Sequence, residues 1–245
     1  MSSTDPPRGS IALEARPDRR PQPASAAPSR ELLGSSRCRL FRKGPPHKAD
    51  LLLVETGRER WVVKDFANKP WWARLTGRLM IARESRAYLC LGATEGLPRF
   101  GGRIDALALA IEYVAAVPLA FAPSRTRNGA AKHGALRGIV DRIHAAGIVH
   151  CDLRGRDNVL VDRHGGLWIV DLASAIRLRP GGPAHRLLFG LLRQIDHAAL
   201  LKWKRIVEAG PFTHDEQRLW RRFRLLRPLW LHRRRAWRGG SGPSE

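Results

Sequence analysis

Residues 150–172, HCDLRGRDNVLVDRHGGLWIVDL, set acids and an amide at the ends of short apolar runs in a chain otherwise rich in arginine, alanine and leucine. The runs NVLVD and LWIVD read as two strands split by the turn RHGG. A hairpin brings the outer ends of its strands together. Asn158, opening the first strand, and Asp171, closing the second, can therefore face one point. An amide oxygen and a carboxylate aimed at one spot suit a hard cation such as Mg²⁺. Asp152, on the preceding loop, can sit nearby as an acceptor for a hydroxyl proton.

Other elements must position these groups. CRLFRKG and ADLLLVET read as strands around the turn GPPHK, and RERWVVKDF as a third strand after the turn at Gly57. Residues 71–94 have helical spacing, with Met80, Glu84, Tyr88 and Leu91 on one face. GRIDALALAIEYV carries a turn and a buried strand. In HGALRGIVDRIHAAG, Leu136, Ile139, Val140 and Ile143 share one side of a helix, and Gly147 stops it. Residues 185–209 read as helical again. The pattern predicts an α+β protein: a strand-rich first part with one long helix, then a short, mostly helical second part.

The 245 residues, 43% of them hydrophobic, suffice for one or two packed lobes. A formal net charge of +22 should draw polyanions: nucleic acid, anionic lipid or phosphorylated substrates. Cys38, Cys90 and Cys151 show no metal-ligand spacing, and an odd count fits a reducing compartment. MSSTDPPRGS lacks the plan of a signal peptide, and no run reaches about 18 apolar residues. The expected location is the cytoplasm, with peripheral placement at the inner face of the membrane as its extension.

The order of these elements resembles the protein kinase-like fold. HCDL stands where kinases carry His-Arg-Asp-Leu, which implies Asp152 as the base or hydroxyl-orienting residue and Asn158 as a metal ligand. VDLA stands where they carry Asp-Phe-Gly, which implies Asp171 as the ligand of the Mg²⁺ that bridges the phosphates. WVVKDF resembles the lysine strand, making Lys64 the ligand of the nucleotide phosphates and Glu84 its helix partner. AIEYV looks like the hinge, with Ile111 as gatekeeper and the backbone of Glu112 and Val114 on adenine. Taken singly, each residue has a plainer reading. Lys64 could be a snorkelling edge-strand lysine and Glu84 a solvated helix charge. Asp152 and Asn158 could be turn or capping residues, His150 a structural loop residue, and Asp171 a strand end. Order and spacing together favour the site.

The sequence also departs from the pattern. RKGPPHK replaces a glycine-rich loop, so the amides of residues 43–48, with Lys43, Gly44 and Lys48, are the candidate phosphate cover, less two donors lost to proline. The Asp152–Asn158 interval is one residue longer than in most protein kinases, and Arg154 takes the place of the loop lysine that contacts the transferred phosphate. Cys151 replaces the arginine before the catalytic Asp, so control through a phosphate caught by that arginine is not expected. Ala173 replaces the glycine of Asp-Phe-Gly, and no Ala-Pro-Glu follows. The chain is short beyond Asp171, which implies a compact kinase of the bacterial type. The nearest resemblance is the lipopolysaccharide (Kdo/heptose) kinase family; RIO-type and aminoglycoside kinases are more distant. Asp196, in the helix that ends such small kinases, either braces the catalytic loop or is an ordinary helix charge.

The expected organisation is a disordered Pro/Ser/Arg-rich leader at 1–30, an N-lobe at 31–114, a compact C-lobe at 115–216 and a basic, aromatic-rich segment at 217–245. The resemblance implies ATP and Mg²⁺ as cofactors and transfer of the γ-phosphate to a hydroxyl, with a lipopolysaccharide-type sugar or lipid-linked acceptor favoured. A protein serine/threonine acceptor is the runner-up, and a nucleotide-binding pseudokinase is the reading from another class. Trp71 and Trp72, and Trp220, Phe223, Trp230 and Trp237 among arginines, suit an anionic membrane surface. The plainer reading of the last four is a C-terminal helix with its apolar side on the core. Nucleic acid ranks lower as a partner.

Overall fold

A computed structural model describes residues 28–231. The architecture is mixed α+β. An N-terminal five-stranded sheet carries one long helix, and a mostly helical region follows. Three hairpin-connected strands come first: β1 (Cys38–Arg42), β2 (Asp50–Thr56) and β3 (Glu59–Asp65). Helix α1 (Trp71–Leu91) is followed by β4 (Phe100–Arg103) and β5 (Ala108–Glu112). The sheet order is β1-β2-β3-β5-β4, and every neighbouring pair is antiparallel.

Alternation along β3 explains the layering. Val62 and Lys64 face α1, while Trp61 and Val63 face the other way, against Leu32 and Leu33 of the one-turn helix Glu31–Gly34. Helix α1 buries Ala73, Gly77, Ile81, Glu84, Tyr88 and Leu91, which includes most of the face expected from spacing. Gly77 is required there, because a Cβ would stand 2.5 Å from the Phe66 ring.

The second part begins with β6 (Ala116–Pro118), a one-turn α2 (Ser124–Arg127), α3 (Ala130–Ala145) and β7 (Ile148–Val149). Strands β8 (Val159–Asp162) and β9 (Leu167–Ile169) form the expected hairpin, with β6 added on its free edge. Strand β10 (Ile176–Arg177) pairs with β7. A π-helical turn (His185–Phe189) leads into α4 (Gly190–Ile206), and α5 (His214–Leu231) ends the described chain. Leu136, Ile139, Val140 and Ile143 of α3 are buried as expected, and Gly147 turns at φ 72°. They belong to one apolar cluster with Phe66, Tyr88 and Ile111 of the first part and Trp203 of α4, so one core runs through both parts.

Strands β4, β6, β7 and β10 were not expected individually. Each is two to four residues long; pairing to a partner strand, the next one for β4 and a distant one for β6, β7 and β10, makes it a strand. Two organisational expectations meet new detail. Residues 1–27 of the leader lie outside the described residues, but Arg30 is tied to the sheet, donating to Asp65 at 2.6 Å and to Asp105 at 2.7 Å. Helix α5 runs unbroken across the 216/217 boundary, anchored to α4 by a 2.8 Å Lys204–Glu216 pair. Trp237 lies outside the described residues.

Candidate active site

The centre of the site is a lysine between two carboxylates. Lys64 Nζ lies 2.7 Å from Glu84 Oε1 on α1 and 2.7 Å from Asp171 Oδ1 after β9. Lys64 is on a central strand, not an edge, so its ammonium points into the space between sheet and helix. Glu84 is 1% exposed, while the Asp171 side chain remains 40% exposed and so keeps an open side. Burial alone would lower the Lys64 pKa, but Asp171 and Glu84 outweigh it and raise it above the usual lysine range. The Lys64 ammonium in turn holds the Asp171 carboxyl well below the carboxylate range. Burial pushes Glu84 up, opposed by Lys64 and by the Leu172 N–H that its carboxylate accepts.

Asp171 has φ 69° and ψ 72°, a left-handed conformation that costs energy for any residue but glycine. It is kept there by its ion pair and by the short 3₁₀ turn Leu172–Ser174, whose Ala173 N–H its side chain accepts.

Asp152 and Asn158 are joined directly. Asn158 Nδ2 donates to the Asp152 carbonyl at 2.8 Å and to Asp152 Oδ2 at 3.3 Å. The longer loop between them is held tight by Gly155, where a Cβ would stand 2.6 Å from Asn158 Nδ2. His150 links this loop to the other strand. Its Nδ1 accepts the Asp152 N–H at 3.3 Å, which leaves Nε2 to donate to the Val170 carbonyl at 3.2 Å. Val170 also donates its N–H to the Asn158 carbonyl at 3.0 Å. His150 is therefore a buried brace between the two acid-bearing segments.

Helix α4 supplies the foundation. Asp196 is fully buried, and its carboxylate accepts from the N–H groups of His150 at 2.7 Å and Cys151 at 2.9 Å. Its Oδ2 also lies 3.0 Å from His144 Nε2. Seven residues on, Trp203 Nε1 donates to the Leu153 carbonyl at 2.9 Å, and Lys202 donates to that of Arg154. Of the two readings of Asp196, the geometry selects the brace. These contacts hold Cys151 at φ 64°. Burial, with Asp196 adding to it, pushes the Cys151 thiol up to about 12, so it stays protonated and plays a packing part.

At the hinge-like segment, the Glu112 carboxylate accepts the Arg99 N–H at 3.0 Å, and the Glu112 N–H donates to the Arg99 carbonyl at 2.9 Å. The Val114 N–H has no acceptor among the described residues. Ile111 is buried, cross-strand from Val62. Phe41 on β1 meets Tyr113 edge-on at 6.0 Å, and the Arg60 guanidinium lies 4.6 Å from the Tyr113 ring centre.

The loop between β1 and β2 is closed on itself. The Gly44 N–H donates to Asp50 Oδ1 at 2.8 Å, and Lys69 Nζ donates to the Gly44 carbonyl at 2.8 Å and to Asp50 Oδ1 at 2.6 Å. The Lys48 N–H is taken by the Pro45 carbonyl. With two prolines lacking donors, only the Lys43 and His47 amides of residues 43–48 remain to be offered. Lys43 itself is exposed. The roles of Asp50 and Lys69 escaped sequence reasoning, since nothing local marks two residues nineteen apart as a pair.

Among the described residues, no group of three or more His, Cys, Asp or Glu could hold a metal. That donor set is not what Mg²⁺ requires: it takes one or two protein oxygens and completes its octahedron with substrate phosphates and water. The partly open Asp171 carboxylate and the Asn158 amide, turned by its Nδ2 bonds so that Oδ1 is left available, fit that demand. No protein-family model matches this chain, and no curated protein matches it.

Proposed function

We propose that this protein is an ATP- and Mg²⁺-dependent phosphotransferase of protein kinase-like fold, with a hydroxyl acceptor. The observation that carries this reading is the Lys64 ammonium clamped between Glu84 and Asp171, beside the hydrogen-bonded Asp152–Asn158 pair. Order along the chain and arrangement in space agree with such a site at five positions drawn from four separate segments.

In this reading Lys64 binds nucleotide phosphate oxygens, and Glu84 fixes its ammonium in place. Asp171 and Asn158 would hold Mg²⁺, which would neutralise charge on the phosphate oxygens. Asp152 accepts a hydrogen bond from the substrate hydroxyl and takes its proton as the γ-phosphate is attacked in line. His150 and Asp196 hold the loop so that the carboxylate is positioned before substrate arrives. The Glu112 carbonyl and the Val114 N–H would read the adenine edge in this reading, and the Val114 N–H has no acceptor among the described residues to compete. Arg154, on the same loop as Asp152, would contact the transferred phosphate. The favoured acceptor is a lipopolysaccharide-type sugar, on the resemblance of the motifs around Asp152, Asn158 and Asp171 to that kinase family; a protein serine or threonine is the runner-up.

The closed β1–β2 loop favours a second reading, nucleotide binding without transfer, since so few amides are left for the phosphates. One experiment separates the two. Thermal unfolding is followed with ATP and Mg²⁺, and ATP turnover is measured in the wild type and in Asp152→Asn. The transferase reading expects nucleotide stabilisation in both proteins and turnover about a hundredfold or more lower in the variant. Equal turnover in both would remove Asp152 from the chemistry.

A further inference from the structure

Helix α1 is apolar on two faces, and only one of them is covered. The inner face carries Glu84, Tyr88 and the core. On the outer face Trp71, Trp72, Leu75, Leu79 and Leu89 are 76%, 44%, 58%, 71% and 70% exposed. At 100° per residue Trp71, Leu75, Leu79 and Leu89 form one stripe, with Trp72 beside its first turn. The stripe is roughly 27 Å long at 1.5 Å per residue. By the same spacing, Arg74 and Arg78 border one edge, Arg83 the other, and Arg86 sits within it. All four arginines are exposed, and the helix has no acid besides the buried Glu84. An exposed line of two tryptophans and three leucines, interrupted only by Arg86, on the surface of a chain with net charge +22 marks a contact site.

The charge pattern selects the occupant. A second copy would set these arginines against their own counterparts. Residues 232–245 of the same chain would add Arg233, Arg234, Arg235 and Arg238. The occupant must therefore be anionic. It must also accept tryptophan and leucine from a convex helix that offers no groove, and a bilayer does both: acyl chains take the apolar line and acidic headgroups take its arginine borders. The neighbouring surface continues the chemistry. Strand β10 packs against α1, and residues 172–193 hold exposed Arg177, Arg179, Leu187 and Leu191 without a single acid.

We propose that the outer face of α1 docks the protein on an anionic phospholipid surface, with the Trp71–Leu89 stripe at the acyl boundary and its flanking arginines among the headgroups. The docking does not rest on the phosphotransfer reading. If that reading also holds, the helix that carries Glu84 on its inner side seats the protein on lipid by its outer side, and a lipid-linked acceptor is met at the surface where it resides.

The test is flotation of the purified full chain with phosphatidylcholine vesicles, with and without an equal part of phosphatidylglycerol. Wild type is expected to float with the anionic vesicles and not with phosphatidylcholine alone, and to release as salt is raised. Leu75→Glu with Leu79→Glu should lower the partition coefficient roughly tenfold or more, the scale of two leucines lost from the interface. Both positions are mostly solvent-exposed, so the thermal melt should be unchanged; Arg74→Ala with Arg78→Ala provides an independent pair that leaves the stripe intact and should weaken binding to anionic vesicles alone. Flotation of the Leu75/Leu79 variant equal to wild type overturns the proposal, as does equal wild-type binding to both vesicles or to neither. A dimer in light scattering that the same variant abolishes would assign the face to a second copy and overturn it too.

Discussion

The two loops that border the candidate site are built on opposite plans. The loop of residues 150–158 is held from far away: Asp196, Lys202 and Trp203, on a helix more than forty residues later, grip its backbone from below. The loop of residues 43–49 is held by close neighbours, Asp50 and Lys69, and the Arg42 just before it lies 3.5 Å from Asp157 with both side chains largely in water. The first rests on a fully buried carboxylate from a distant helix; the second is closed by the mostly buried Asp50–Lys69 pair, contributed by residues close to it in the chain. The acid that would orient a substrate hydroxyl is thus supported from another part of the chain, while the loop that would meet the nucleotide depends on partners no more than 25 residues away.

The sharpest way to break this contrast is Asp196→Ala. It strands the N–H groups of His150 and Cys151 and the His144 ring in a dry site, and should cost about 3–5 kcal/mol in denaturant unfolding. A loss below about 1 kcal/mol would mean that the long-range grip is not what holds the loop.

Next in size is Lys64→Met, expected to cost about 2–3 kcal/mol at neutral pH, less than Asp196→Ala because Asp171 is partly open to water. The pH dependence has a definite sign. Asp171, with its pKa depressed, contributes stability above its ordinary value of 3.8 and loses it as pH falls. Lys64, with its pKa raised, contributes below 10.5 and loses that as pH rises through its folded value. Glu84, pushed above 4.5 by burial, works against the folded state at neutral pH, and more so once Lys64 is gone. The gap between wild type and variant should therefore be widest between about 4.5 and 10.5 and close in acid, as both carboxylates protonate. Parallel pH–stability curves for the two proteins would contradict the clamp.

Gly44→Ala probes the other loop. A Cβ there would stand 2.1 Å from the Ala49 carbonyl oxygen, so the closed loop must shift. A smaller stability loss is expected, about 1–2 kcal/mol, together with a change in the nucleotide-dependent thermal shift; an unaltered shift would show that this loop does not meet nucleotide. The smallest effect belongs to Arg42→Ala, which removes one exposed pair and should stay within about 0.5 kcal/mol. A larger loss would make the Arg42–Asp157 contact a structural tie and erase the contrast.

Much of this could be read from the chain in order. Strands β2, β3, β8 and β9 and helices α1 and α3 carry their own periodicity, and so the stations of Lys64, Glu84, Asp152, Asn158 and Asp171 follow from local pattern. The closure at Gly44 could not be read that way: RKGPPHK suggests a turn that offers amides, and only the meeting of Asp50 with Lys69 shows that they are spent. The membrane-facing candidates also shift. The sequence already singles out Trp71 and Trp72 together with the arginine-rich C-terminus, but not the exposed Leu75, Leu79 and Leu89 that extend them along α1, whose two apolar faces cannot be ranked until a sheet covers one of them.

By itself, then, the sequence determined which residues carry reactive groups and which element holds each, because helix and strand periods are written within a few neighbouring residues. The tertiary structure decided which of those groups meet. Lys64 between Glu84 and Asp171, Asp196 under His150 and Cys151, and the open face of α1 all depend on packing between segments 20 to 107 residues apart, and burial there makes an unmet charge or N–H costly enough to select one arrangement.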